Sequence, residues 1–120
     1  MISYLTVKEV LELGRDATLR DEGVIESAIA QARATFGGKD LYPTLLDKAS
    51  FLCVALVQGR AFADRNEEIG HAVLETFLAQ NHARLDATPD AQRDVVFAIG
   101  AGRMTRRELY DWLRTHVSPA

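Results

Sequence analysis

Residues 45–59 read LLDKASFLCVALVQG, and this stretch decides the fold. Its apolar side chains recur at helical spacing and form a band that covers almost the whole circumference of a helix. A helix that is apolar on nearly every side belongs at the centre of a bundle, where other helices cover it. Gly59 is expected to end this helix. The apolar band consists of Leu45, Leu46, Ala49, Leu52, Cys53, Leu56 and Val57, and Phe51, Val54 and Ala55 extend it.

Three helix starts carry the same signal, a threonine placed three residues before a carboxylate. In this capping box, each side chain bonds the backbone N–H of the other residue. An apolar stripe at helical spacing follows each pair, so the pairs predict helices that begin near positions 7, 45 and 106. The pairs are Thr6 with Glu9, Thr44 with Asp47, and Thr105 with Glu108.

The rest of the chain also has helical periodicity and helical end signals. The predicted helices cover roughly 23–35, from about Asn66 to a stop at Asn81, and from a Thr88-Pro89 start through Ile99. Residues 36–43, with two glycines and a proline, are a turn-rich connection that could form one small hairpin. We therefore predict an all-α single domain over residues 1–120, a bundle of about six helices. Its last helix is predicted to bury Leu109, Trp112, Leu113 and Val117.

Composition excludes several classes of protein. A chain of 120 residues has room for one core. Its 14 Lys plus Arg against 17 Asp plus Glu give a net charge of −3, which argues against a nucleic-acid partner. The longest apolar run, residues 51–57, is far shorter than the roughly 20 residues of a membrane span. With one cysteine and no visible signal peptide, the expected location is the cytoplasm.

The loop after the central helix, GRAFADRNEE at residues 59–68, resembles the active-site motif of the Fic/Doc family, H-x-F-x-D/E-G/A-N-K/G-R. Phe62, Asp64 and Asn66 stand at the Phe, acidic and Asn positions of that motif. The resemblance is to the short death-on-curing branch and implies its Fido fold. It extends over most of the chain, through Tyr4-Leu5-Thr6 and the segments 20–23, 26–30, 34–38, 40–44 and 108–113.

Resemblance to this family implies the transfer of part of ATP, with Mg²⁺, to a hydroxyl group of a target protein. In most Fic proteins the group is AMP. In the death-on-curing branch it is a phosphate placed on elongation factor Tu, and an antitoxin partner silences the toxin. Such chemistry needs a helix N-terminus that faces phosphate, an acidic ligand for Mg²⁺, basic side chains and a histidine base.

Four positions of the loop depart from that pattern. Arg60 occupies the place of the general-base His, and a guanidinium that stays protonated cannot accept a proton. Arg65 stands where the family has Gly or Ala. Glu67 and Glu68 replace Lys or Gly and Arg, a change from +2 to −2 relative to a Lys-Arg pair. The two arginines could instead form ion pairs with the two glutamates and fill the site.

Ordinary structural roles compete with these functional ones. Glu67 and Glu68 suit the first turn of any helix, and Asp64 is as good a helix cap as a Mg²⁺ ligand. Asn66 is interpreted as a loop or capping residue rather than a phosphate contact, and Phe62 as a core residue. Cys53 is expected to be a buried, inert thiol. His71, His82 and His116 lack metal-ligand spacing.

Two functional hypotheses follow. In the first, the protein is a Doc-like pseudoenzyme that acts as a binding module, with an antitoxin partner and a target in the translation machinery. In the second, it is an active kinase or AMP transferase with a rebuilt site, in which Asp64 and Asn66 still organise Mg²⁺ and nucleotide. The departures from the motif would also be found if these residues had been substituted deliberately to inactivate the protein.

Overall fold

Six helices and two short antiparallel strand pairs form the chain in a computed structural model that describes residues 1–120. The helices confirm the predicted bundle, and no helix has both the length and the apolar character needed to cross a membrane. In chain order the elements are α1 (Val7–Leu13), α2 (Glu22–Arg33), β1 (Thr35–Phe36), β2 (Lys39–Asp40), α3 (Leu45–Gly59), α4 (Asn66–Gln80), β3 (Ala83–Leu85), α5 (Pro89–Gly100), α6 (Arg106–His116) and β4 (Val117–Pro119).

Helix α3 lies at the centre of the bundle, as its apolar circumference predicts. It packs against α2, α4, α5 and α6. It lies close to α4 at Gly70, where a Cβ atom would overlap Cγ2 of Val57. A side chain at position 70 would therefore push the two central helices apart. The core side chains of α3 are Ala49, Leu52, Cys53, Leu56 and Val57.

All three predicted capping boxes are present. In α3, for example, the Thr44 hydroxyl accepts a hydrogen bond from the backbone N–H of Asp47 at 3.1 Å, and the Thr44 N–H donates to the Asp47 carboxylate at 3.1 Å. The equivalent bond from the Thr6 N–H lowers the pKa of Glu9. Helix α4 ends at the predicted stop, with Asn81 as its C-cap.

Two end regions differ from the predictions. Helix α2 ends at Arg33 rather than near Thr35, because Thr35 begins strand β1. Helix α6 ends at His116, and Val117 lies in strand β4, where it pairs with Leu85 of β3. This β3–β4 pair was not predicted, because strands this short have no alternation of their own and exist only where the bundle brings them together.

The hairpin expected within residues 36–43 forms from β1 and β2. Gly37 and Gly38 make its turn with φ values of 60° and 79°, which glycine adopts without strain. The buried Lys48 of α3 contacts the Asp40 carboxylate at 3.2 Å and ties the hairpin to the N-terminal end of α3. The loop from Arg60 onward begins at the opposite end, about 22 Å away along the helix axis.

Candidate functional site

Residues 60–65 form the loop between α3 and α4, and backbone bonds fix it to the segment before α2. The N–H of Ala63 donates to the carbonyl of Thr18 at 2.8 Å, and the N–H of Arg20 donates to the carbonyl of Ala61 at 2.8 Å. The Arg20 guanidinium also donates twice to the carbonyl of Arg60, at 3.0 and 2.6 Å. These contacts fix the side of the loop that faces the segment before α2.

Asn66 holds the loop from the other side. Its side chain is buried, with 2% of its area exposed, and its Oδ1 accepts a bond from the Phe62 N–H at 3.1 Å while its Nδ2 donates to the Phe62 carbonyl at 2.9 Å. The Phe62 ring is buried against Gly14, where no Cβ would fit. The amide oxygen and the amide nitrogen of Asn66 therefore each hydrogen-bond the backbone of the loop, which is a structural role.

Two residues of the loop have left-handed backbone conformations. Arg60, the C-cap of α3, has φ 54°, and Arg65, the N-cap of α4, has φ 61°. This conformation costs a non-glycine residue about 1–2 kcal/mol. Of the two roles left open for Asp64, the helix cap is not adopted, because the N-cap is Arg65 and no side chain bonds the first turn. The conformation at position 65 is the one that favours the Gly of the motif.

Replacing Arg65 with Gly should relieve this strain, and Arg65→Ala is the matched control. Both variants remove the guanidinium, but only glycine adopts φ 61° without cost. Glycine loses more entropy on folding than alanine, and this loss offsets part of the relief of strain. We therefore expect the free energy of unfolding of Arg65→Gly to be higher than that of Arg65→Ala by up to about 1 kcal/mol. Urea denaturation measures the difference. If Arg65→Ala were instead more stable than Arg65→Gly, the backbone at position 65 would not be strained.

Glu67 and Glu68 lie in the first turn of α4. Glu67 is half-buried against Gly100 at the end of α5, and Glu68 is exposed. The expected ion pairs with Arg60 and Arg65 do not form, because no basic group lies within 4.0 Å of either carboxylate. Both arginines are exposed, and Arg65 lines a surface pocket together with Glu68 without forming an ion pair. The helix N-terminus therefore carries two carboxylates without ionic partners.

Two small pockets flank this turn. One, of about 190 Å³, is lined by Arg65, Glu68 and Asp16, and the other, of about 180 Å³, by Glu67, Glu68 and His71. Both are smaller than the roughly 300 Å³ at which small-molecule sites usually begin. No group of three or more His, Cys, Asp or Glu side chains converges to hold a metal ion.

Comparison with known protein families identifies the family of this chain. A model described as the Fic/DOC family matches residues 3–78, which include α1 to α3, the loop and most of α4. The chain belongs to the Fic/DOC family. A curated relative, the "Toxin Doc" of Mycolicibacterium smegmatis, is 37% identical over 98 residues, which cover 78% of this chain and 75% of the relative.

One residue of this Fic/DOC protein that sequence reasoning missed is Arg20, whose guanidinium bonds the Arg60 carbonyl across the loop. No local signal marks it, because its partner lies 40 residues away.

Cys53 is buried, and burial raises the pKa of its thiol to about 12, so it is the inert thiol that its apolar surroundings predict. His71 contacts Gln92 at 2.7 Å and Glu75 at 3.6 Å, and it lines one of the two pockets together with Glu67 and Glu68.

Proposed function

We propose that this protein is a Doc-type member of a toxin–antitoxin system that has lost transfer of phosphate or AMP from ATP and acts as a catalytically inactive binding module. One observation carries the proposal: Glu67 and Glu68 occupy the first turn of α4 without ionic partners. The named relative is a toxin. By this relationship, the partners of the binding module are an antitoxin protein and a target in the translation machinery.

The two glutamates oppose phosphate binding directly. A charge contact at a few ångströms is worth about 1–4 kcal/mol near a protein surface. Relative to a Lys-Arg pair, Glu67 and Glu68 turn two such attractions into two repulsions. Since each 1.4 kcal/mol is tenfold in affinity, the loss is at least about a hundredfold. The unpaired state of both carboxylates strengthens the argument, because no arginine of the loop neutralises them.

The loop also lacks a proton acceptor at the family's histidine position. Arg60 is exposed there, and its guanidinium stays protonated at every relevant pH. The next histidine in the sequence is His71, in the second turn of α4, where it contacts Gln92. No imidazole therefore stands at the position from which the family's histidine takes the proton of a target hydroxyl.

The second candidate is an active transferase with a rebuilt site. It is favoured by Asp64, which is exposed and engaged in no side-chain hydrogen bond, so its carboxylate is free to hold Mg²⁺. Asn66 also keeps the loop in a fixed shape. If this candidate is right, Asp64→Ala should abolish toxicity seen on expression in a host. Toxicity that survives the substitution supports a binding role.

Titration calorimetry with ATP and Mg²⁺ tests the loss of nucleotide binding. We expect no measurable heat from the wild-type protein. The triple variant Arg65→Gly, Glu67→Lys, Glu68→Arg should bind at least tenfold more tightly than the control Glu67→Gln, Glu68→Gln, because only the former supplies attraction. Clear binding by the wild type, or transfer of label to a target protein, would overturn the proposal.

A further inference from the structure

The outward face of α5 carries an acidic row of side chains. Asp90, Asp94 and Phe97 follow one another at spacings of four and three residues, so they lie in one row, opposite the side that α5 buries in the core. Phe97 keeps 49% of its area exposed. Both aspartates are exposed and have no basic group within 4.0 Å. We call these three residues the α5 row.

Helix α6 carries a basic row on one side. Arg107, Tyr110 and Arg114 follow one another at spacings of three and four residues. The Arg107 guanidinium lies over the Tyr110 ring at 5.2 Å and reaches the exposed Asp111 carboxylate at 3.5 Å, a surface pair of little strength. Arg114 is exposed and has no acidic group within 4.0 Å. We call Arg107, Tyr110 and Arg114 the α6 row.

The α5 row and the α6 row are complementary. Each spans about 10 Å along its helix and combines two like charges with one aromatic ring, and the charges of the two rows are opposite. If the helices lie antiparallel, Asp90 faces Arg114 as an ion pair, and Phe97 faces Arg107 as a cation–π pair. Both helices pack against α3, and no ion pair joins the two rows within one chain. The rows are therefore available to another molecule.

We propose that the α5 row binds the α6 row of a second copy of this chain, and the reverse, in a dimer with two-fold symmetry. A two-fold axis makes the same contact twice, so both rows of both copies are paired. Charge complementarity favours a second copy as the occupant, because the chain itself supplies both signs of charge at matched spacing. A partner of one sign would leave the other row unpaired. The inference goes beyond the proposed function and does not depend on the loss of nucleotide binding.

Such a dimer would form beside the loop that carries the motif. Phe97 lines the pocket of about 180 Å³ together with Glu67 and Glu68 in the first turn of α4. The arginines of the second copy would therefore approach a turn whose two carboxylates have no ionic partner. Self-association would narrow access to this turn.

Charge reversal tests the pairing of the two rows. Sedimentation equilibrium of the whole chain should show a monomer–dimer equilibrium whose Kd rises with salt. Asp90→Lys with Asp94→Lys, and separately Arg107→Glu with Arg114→Glu, should each raise the Kd at least about tenfold, because like charges then face each other. An equimolar mixture of these two variants should form a heterodimer, because each row again meets the opposite charge. All four side chains are exposed, so the fold should be retained.

Glu22→Lys with Glu26→Lys is the matched control. It makes the same change of charge at the same spacing, also on exposed residues at the start of a helix, and should change the Kd less than about twofold. A wild type that stays monomeric, an assembly larger than a dimer, or a mixture without heterodimer would overturn the proposal. If the monomer instead bound poly-Lys at the α5 row or poly-Glu at the α6 row, the rows would serve a different partner and the proposal would be wrong. None of these variants alters Glu67 or Glu68, so failure here is distinguishable from nucleotide binding by the wild type.

Discussion

Lys48→Ala is expected to lower the free energy of unfolding by about 3 kcal/mol. The Lys48 side chain is completely buried, its Nζ donates to the Ala32 carbonyl at 3.0 Å, and its charge faces the Asp40 carboxylate at 3.2 Å. Truncation leaves a cavity and a carbonyl without a donor, and each of these defects is costly. Asp40 is half exposed, so loss of the ion pair itself contributes less.

Urea denaturation measures this loss, and Lys39→Ala is the control because Lys39 is an exposed lysine of the same hairpin. The control should stay within about 0.5 kcal/mol of wild type. Amide exchange in β1 and β2 should accelerate in Lys48→Ala, because Lys48 ties the hairpin to α3. A variant as stable as wild type would show that Lys48 does not hold the hairpin. Lys48→Met keeps the packed volume and should recover part of the loss.

Asn66→Ala is the second substitution with a large expected effect, a loss of about 2–4 kcal/mol in the free energy of unfolding. Asn66 satisfies both the N–H and the carbonyl of the buried Phe62. Alanine leaves both groups without partners, and each unsatisfied buried group costs about 1–3 kcal/mol. The loop should then lose its fixed shape before the rest of the bundle unfolds.

Asp64→Ala is the matched control for Asn66→Ala, because Asp64 lies in the same loop and is exposed. Its free energy of unfolding should stay within about 0.5 kcal/mol of wild type. Thermal and urea denaturation of both variants distinguish a structural role of Asn66 from a role in ligand binding. If Asn66 served only a bound ligand, its truncation would leave stability unchanged, contrary to this expectation.

Most of the helical framework could be predicted from the sequence because its signals are local. The Thr44 and Asp47 capping box joins groups three residues apart, and the apolar face of α3 repeats within the helix itself. Such signals need no knowledge of distant segments. The family, too, could be predicted, because the resemblance extends from Tyr4-Leu5-Thr6 through the loop motif to the last helix.

Side-chain geometry in the loop could not be predicted in the same way. Opposite charges at Arg65 and Glu68 suggested an ion pair, yet the two side chains line one pocket without approaching within 4.0 Å. Asp64 has the chemistry of a cap but lies one residue too early to cap α4. Both differences arise because residue type and spacing do not determine the backbone conformation, and Arg65 takes the N-cap position with φ 61°.

The sequence by itself determined the six helices, the three capping boxes, the buried centre of α3 and the location of the loop, because each depends on residues within a few positions of one another. Only the tertiary structure decided the β3–β4 pairing, the bond from Arg20 to the Arg60 carbonyl and the burial of Lys48. These features join residues far apart in the chain. They exist only once helix packing has brought those segments together, and the favourable contacts offset the entropy of closing the intervening chain.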